Sequence, residues 1–378
     1  MRRPLRVWWI GLAMLVASSW GCGETPPVGP ECPGDPSCPD PGDNGIVDGV
    51  NLNVLFSEPS VAEIQRARRE ISGRPQSVVA VETVTTVDLG NRETVRVLAG
   101  LDADGDTVFV GAIRVPPRIV GDQRARPLML VLSEGPDVDV SQAVDVPPLR
   151  SDLENEFVTV VMGYRGQSLT VAGRTYSSDL AAEPYDRDAD DVVALVDHAR
   201  ANAGLDRSDP TRLVATGWGR GGGVALLAST RGLNANVVLA LGAATDFFLP
   251  DIKADARRYL TNETISRVPE LESVLEVSAG AVRDETKTLS EARLELLKRS
   301  PAYLYTSPPY LFAAHGGRDG VVPVEHGRSI AAVLNLDGVY LELEESAHGT
   351  IIGESQVVSA VADALCLRVL STEPMCNG

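Results

Sequence analysis

Leu213-Val214-Ala215-Thr216-Gly217-Trp218-Gly219-Arg220-Gly221-Gly222-Gly223 runs directly into Val224-Ala225-Leu226-Leu227. Four apolar or β-branched residues, a glycine-rich turn and a second apolar run predict a short buried strand, a sharp turn and a helix. Two unrelated chemistries use that shape. In the G-x-S-x-G nucleophile elbow, a serine sits on a strained strand-to-helix turn. In the G-x-G-x-x-G loop, backbone approaches a dinucleotide pyrophosphate. Gly217-Trp218-Gly219-Arg220-Gly221 fits the first with its serine missing, and Gly217, Gly219 and Gly222 fit the second.

The surrounding pattern separates them. Continuous apolar runs at 128–132, 157–162, 213–216, 237–241, 310–314 and 339–343 alternate with amphipathic stretches at 188–202, 324–334 and 356–370. Such alternation predicts an α/β fold: a mostly parallel, doubly wound sheet covered on both faces. Ahead of it, 78–87, 94–98 and 107–115 read as N-terminal antiparallel strands, and 60–71 as a helix. The turn Asp102-Ala103-Asp104-Gly105-Asp106 has neither the glycine at position six nor the acid at position twelve of a calcium loop, and is expected to be a solvated hairpin turn. Residues 245–300 read as a helical insertion over one edge of the sheet. A dinucleotide loop should open the first strand–helix–strand unit and have an acid about 20 residues on. This loop follows several strands, which makes a nucleotide-dependent oxidoreductase the remote alternative, and no cofactor is expected.

Two pieces lie downstream of the glycine turn, each directly after a strand: His315-Gly316-Gly317-Arg318-Asp319-Gly320-Val321-Val322-Pro323 and Ser346-Ala347-His348-Gly349. Loops at the carboxyl ends of parallel strands converge on one crevice. The order turn, Asp, His is that of a hydrolase triad, in which the acid orients the histidine and the histidine takes the nucleophile's proton.

With these segments, residues 78–370 resemble the α/β-hydrolase domain of the prolyl oligopeptidase and dipeptidyl-peptidase group, or the closely similar esterases. His315-Gly316-Gly317-Arg318-Asp319 with Val322-Pro323 resembles the group's H-G-x-x-D-x-x-V-P segment. Tyr164-Arg165-Gly166 resembles its Y-R-G loop, and Asp190-Asp191-Val192 the start of the helix before the elbow. Residues 206–214 resemble its lead into the elbow. The resemblance implies an esterase- or peptidase-like hydrolase fold, with Asp319 as acid, His348 as base and position 219 as nucleophile. Oxyanion donors would come from the backbone N–H of Arg220 and from Ser133.

The departures fall on the chemistry. Gly219 stands where the group has serine, and glycine has no nucleophilic side chain. Ser133-Glu134-Gly135-Pro136 stands where it has a Y-G-G-P or H-G-G oxyanion motif, and a carboxylate is a poor neighbour for a developing oxyanion. The expectation is a catalytically impaired pseudo-hydrolase with a binding or scaffold role and a small-molecule or peptide ligand. The alternative is an active esterase or peptidase using activated water or a hydroxyl of Ser133, Thr216 or Ser168. Among single residues, His315 is expected to fix the acid loop. His198 and His326 are expected at the surface or its boundary, and the Trp218 and Arg220 side chains read as packing and surface groups.

Composition bounds the rest. The 378 residues carry a formal net charge of −18, which argues against nucleic acid and against electrostatic adhesion to anionic lipid. Arg2, Arg3 and Arg6 precede the apolar run 7–17, which is short for a membrane span, and small residues follow up to Gly21-Cys22. This resembles a bacterial lipoprotein signal over 1–21, with Cys22 lipidated; Ser19 and Trp20 depart from the usual pattern. Residues 22–49, rich in Pro, Gly and Asp, read as a tether, and 50–378 as the hydrolase domain. Cys32 and Cys38, and Cys366 and Cys376, are expected to form two local disulfides in an oxidising compartment, with no metal. The chain is therefore expected to be exported, reaching a membrane only through its lipid, or secreted if Cys22 is unmodified.

Overall fold

Strands covered on both faces have no polar side to show, and the apolar runs become strands of one sheet, all of them inner except 339–343 at its edge. The computed structural model describes residues 45–376 apart from 91, 118–122, 136, 141–148, 150–152, 154, 266, 306–309, 334–337 and 372–375. The expected signal segment and Cys22, Cys32 and Cys38 lie outside the described residues. The expected tether ends earlier than its composition implies. Its last residues enter a hairpin of β1 (Ile46–Val47) and β2 (Val50–Asn51), where Gly45 and Gly49 take positive φ.

The main sheet contains β3 (Ala80–Gly90), β4 (Glu93–Leu101), β5 (Thr107–Val115), β6 (Arg126–Leu132), β8 (Val158–Gly163), β11 (Ser208–Trp218), β12 (Val237–Leu241), β13 (Tyr310–Gly316) and β14 (Val339–Leu343). Their spatial order is β14-β13-β12-β11-β6-β8-β5-β4-β3. From β14 to β8 the pairs are parallel, and β8/β5, β5/β4 and β4/β3 are antiparallel. A smaller sheet of β7 (Asp137–Asp139), β9 (Ser168–Val171) and β10 (Arg174–Ser177) leaves no clear mark in the sequence pattern, because its strands are three or four residues long. The acidic turn between β4 and β5 is closed by Asp102 Oδ1, which accepts from the amides of Asp104 and Asp106 at 3.0 and 2.9 Å.

Side chains alternate between two apolar layers, as the period of a strand requires. Leu128, Leu130, Val160, Leu213 and Ala215 face one layer, with α3 (Asp186–Ala201) and α4 (Arg220–Ser229). Met129, Val131, Val161 and Val214 face the other, with α9 (Ser355–Arg368). The first layer also receives α1 (Leu52–Leu55) and α2 (Val61–Gly73), the latter entered through a Ser60/Glu63 capping box. Between β12 and β13 the chain forms α5 (Pro250–Leu260), α6 (Leu271–Leu275) and α7 (Leu289–Lys298). α8 (Val324–Ala331) follows β13. The insertion does not lie over a sheet edge. Leu271, Val274, Leu296 and Leu297 join the core of the first face, and the Val268 amide donates to Val321 in the loop after β13. Packing these side chains onto the existing layer removes their apolar surface from water. Cys366, in α9, is bridged to Cys376.

Candidate active site

Gly219 joins β11 to α4 at φ 54° and ψ −118°, a conformation that L side chains rarely adopt. Its amide donates to Leu241 O at 2.9 Å, which ties the elbow to the end of β12. The turn is this sharp because α4 starts against β6: a Cβ on Gly221 would lie 2.1 Å from the Leu132 carbonyl. The geometry is that of a nucleophile elbow, with glycine at its apex.

The loops after β13 and β14 bring the predicted acid and base together at this turn. His348 Nδ1 donates to Asp319 Oδ2 at 2.6 Å. Asp319 is held from behind, its Oδ1 accepting from the amides of Val321 and Val322 at 2.9 and 2.8 Å. His315 donates from Nε2 to Val322 O at 2.8 Å and so fixes the acid loop, as expected. Trp218 stacks on the His348 ring, with centroids 4.8 Å apart and planes 27° apart.

The second nitrogen of His348 meets a group for which the sequence pattern assigns no contact. Nε2 donates to Glu134 Oε2 at 2.9 Å. A Cβ added to Gly219 would lie 2.6 Å from Glu134 Cδ and 2.9 Å from its Oε2. The Glu134 carboxylate, arriving from the end of β6, therefore fills the volume a residue-219 side chain would need, and takes the histidine bond that a nucleophile would make. The signal for this is present in the sequence: the two departures from the family pattern, glycine for serine and glutamate for glycine, fall on positions that touch.

With both ring nitrogens donating to carboxylates, His348 is held as an imidazolium. Burial opposes the charge, but the hydrogen bonds to Asp319 and Glu134 and the attraction of both carboxylates outweigh it, lifting the ring to about 9. A raised folded value stabilises the native state fully below the ordinary histidine value of 6.5, and that stabilisation is lost as pH rises through about 9. Discounted for partial solvent screening, the loss is about 2 kcal/mol. Denaturant melts between pH 6.5 and 9 should show most of this decline, and His348→Gln should flatten it; an equal decline in both chains would remove His348 as its source.

Two polar residues expected at the surface or its boundary are buried. Arg220 is not a surface group: its side chain is fully buried, donating to Asp188 Oδ2 from Nε at 3.1 Å and from Nη2 at 2.8 Å, and to Glu270 at 3.1 Å. Its guanidinium also lies 4.3 Å over the Tyr164 ring. His326 is not at the surface either. It is fully buried, its Nδ1 accepts from the amides of Thr245 and Asp246, and burial lowers it to about 3. His198 is half-buried.

Ser133 follows β6 beside the elbow; its carbonyl accepts from Tyr164 at 3.3 Å, and among the described residues its hydroxyl has no hydrogen-bond partner. The same holds for the Thr216 hydroxyl, whereas that of Ser168 donates to Asp137. None of these three hydroxyls is bonded to His348. Two segments of the family resemblance meet in space, Arg165 pairing with Asp191 at 2.8 Å.

Residues 150–365 match the prolyl oligopeptidase family. No curated protein matches the chain. Among solved structures, an acetyl xylan esterase from Paenibacillus sp. R4 is similar at 13% identity over 82% of this chain and 98% of that one, with a TM-score of 0.54. The α/β hydrolase GrgF from Penicillium sp. sh18 is similar at 12% identity over 73% and 99%, with a TM-score of 0.50. Against a bifunctional GH43-CE from Bacteroides eggerthii, at 18% identity and a TM-score of 0.46, the match covers 67% of this chain and 35% of that one. The glycine turn is thus an elbow, and the dinucleotide reading of Gly217, Gly219 and Gly222 falls. Fold, order of acid and base, and family match converge on an α/β hydrolase of esterase or peptidase type, and the chain belongs to the prolyl oligopeptidase family.

Proposed function

We propose that this chain is a pseudo-hydrolase: an α/β-hydrolase scaffold that binds a small molecule or peptide and does not turn it over. One observation carries the proposal, the Glu134 carboxylate lying against Gly219 and bonded to His348 Nε2. Acyl transfer needs a nucleophile at this point and a neutral imidazole to take its proton. Position 219 offers no side chain, and the imidazole is already charged at neutral pH because two carboxylates hold it. Removal of a triad member leaves about three orders of magnitude over water from the oxyanion site and binding alone, and here a carboxylate stands at that site as well. An active hydrolase with a substitute hydroxyl has less support, since Ser133, Thr216 and Ser168 make no bond to His348.

The apolar run 7–17 and Cys22 support an exported protein carrying a lipid on Cys22. The Cys366–Cys376 bridge agrees with an oxidising compartment.

Purified chain is expected to resist labelling by a fluorophosphonate serine-hydrolase probe and to leave nitrophenyl acetate at the background rate. Labelling at any residue, blocked by prior heating, would sink the proposal.

A further inference from the structure

The Glu134 carboxylate and Asp319 both bond to His348, yet they are held differently. Asp319 has a fully buried side chain and two backbone amides on its other oxygen. It is a fixed part of the loop. Glu134 is half-buried, with 16% of its side chain exposed, and among the described residues His348 is its one hydrogen-bond partner. Gly219 withholds a Cβ from the space Glu134 occupies. One carboxylate is built in, and the other is lodged in a gap.

We propose that this gap is a carboxylate-binding site, which Glu134 fills from within and which the carboxylate of a ligand enters by displacing it. The proposal rests on the pseudo-hydrolase reading and names its ligand class: small organic acids or the carboxyl terminus of a peptide. The chemistry follows from charge. With Glu134 swung out, Asp319 and His348 leave a neutral ion pair whose Nε2–H lacks an acceptor. A carboxylate restores both the hydrogen bond and the charge pattern that Glu134 supplied. An amide of the same shape restores a hydrogen bond but not the negative charge that offsets the imidazolium. A cation is repelled by the imidazolium. Buried polar groups are seldom left unpaired, so an open gap favours whichever carboxylate is at hand.

Competition from Glu134 sets the expected affinities. If the side chain is lodged about nine-tenths of the time, a ligand binds wild-type chain about tenfold more weakly than it binds a chain lacking Glu134, because the apparent constant scales with the open fraction. The full chain carrying Glu134→Ala is titrated at neutral pH with acetate, and separately with acetamide and with chloride at matched ionic strength. The His348 ring is followed by NMR, where four histidines keep the spectrum simple. Acetate should shift the His348 signals saturably and raise its pKa back toward the wild-type value. Acetamide and chloride should do neither, and wild-type chain should need about ten times more acetate. Glu134→Ser provides the same test if the alanine chain is poorly folded. A folded variant whose His348 ignores acetate, or answers acetamide equally, overturns the proposal. Nitrophenyl acetate turnover by wild-type chain would instead remove the pseudo-hydrolase reading while leaving acetate binding to stand or fall by itself.

Discussion

A serine placed at position 219 alone is expected to produce no hydrolase, whereas Gly219→Ser with Glu134→Gly should produce one. The single variant puts a Cβ 2.6 Å from Glu134 Cδ and asks a non-glycine residue to hold φ 54°. Elbow strain of this kind costs about 1–3 kcal/mol, so the variant should fold with a lower melting temperature. Its hydroxyl would face a carboxylate that already holds His348 Nε2, and an imidazolium cannot take its proton. Removing Glu134 changes both conditions. The second carboxylate that raises His348 is gone, so the ring falls toward a value suited to a general base. The glycine also restores the second position of the Y-G-G-P pattern, where Ser133-Glu134-Gly135-Pro136 now stands. Against nitrophenyl acetate, the double variant should exceed the single by at least about 100-fold, well within what a restored nucleophile contributes elsewhere. Fluorophosphonate should label position 219 in the double variant only. Equal activity in both would mean that Glu134 blocks nothing. A folded double variant that neither labels nor turns over would mean that the oxyanion side is lost as well.

The parts of the site that are legible in the sequence are those set by local geometry and chain order. The elbow is visible because a strand, a turn of this sharpness and a helix leave glycines at 217 and 221, whatever residue stands at 219. Asp319 and His348 are visible because parallel strands deliver their following loops to one end of the sheet, so that two separated residues meet by topology. The strands themselves are legible because the central runs of β6, β11 and β12, residues 128–132, 213–215 and 237–241, are covered on both faces and are apolar throughout.

What escapes a reading of the sequence are interactions whose partner is chosen by tertiary packing. Glu134 is visibly hostile to an oxyanion, yet its contact with His348 depends on a side chain crossing from the end of β6 to a loop 214 residues later. Arg220 and His326 pass for ordinary polar residues because composition carries no sign of burial for a single charged or polar group. Each is buried only because a specific partner waits: Asp188 at the start of α3 for one, the amides of Thr245 and Asp246 for the other. Such partners are not periodic, and neither hydrophobic spacing nor turn chemistry reports them. The two departures at 219 and 134 show what can be used instead. Paired changes at positions that meet in the fold accommodate each other, here a side chain absent at 219 and a longer one at 134 that reaches into its place.

Loss of Arg220 is expected to destabilise the fold strongly. Both Arg220 and Asp188 have fully buried side chains, and Asp188 also accepts from the Tyr185 amide at 2.7 Å. Arg220→Met would keep much of the volume and remove the charge, leaving Asp188 as an unpaired carboxylate in the core. Breaking one side of a buried pair costs about 3–5 kcal/mol, and the melting temperature should fall accordingly. Asp188→Asn in the same chain should recover a substantial part, since a neutral amide tolerates burial better than an isolated charge. Loss of Arg220 also frees Glu270, so the insertion loses one tie to the start of α4, and the elbow beside Arg220 loses its anchor to α3. Proteolysis between α5 and α6 should therefore accelerate in Arg220→Met more than a global loss of stability explains, as judged against a core variant of equal melting temperature. If Arg220→Met and Arg220→Met/Asp188→Asn melt together, the charge left on Asp188 is not the source of the damage. If both melt with wild-type chain, the buried pair contributes no more than apolar packing of the same volume, an outcome some buried ion pairs do show.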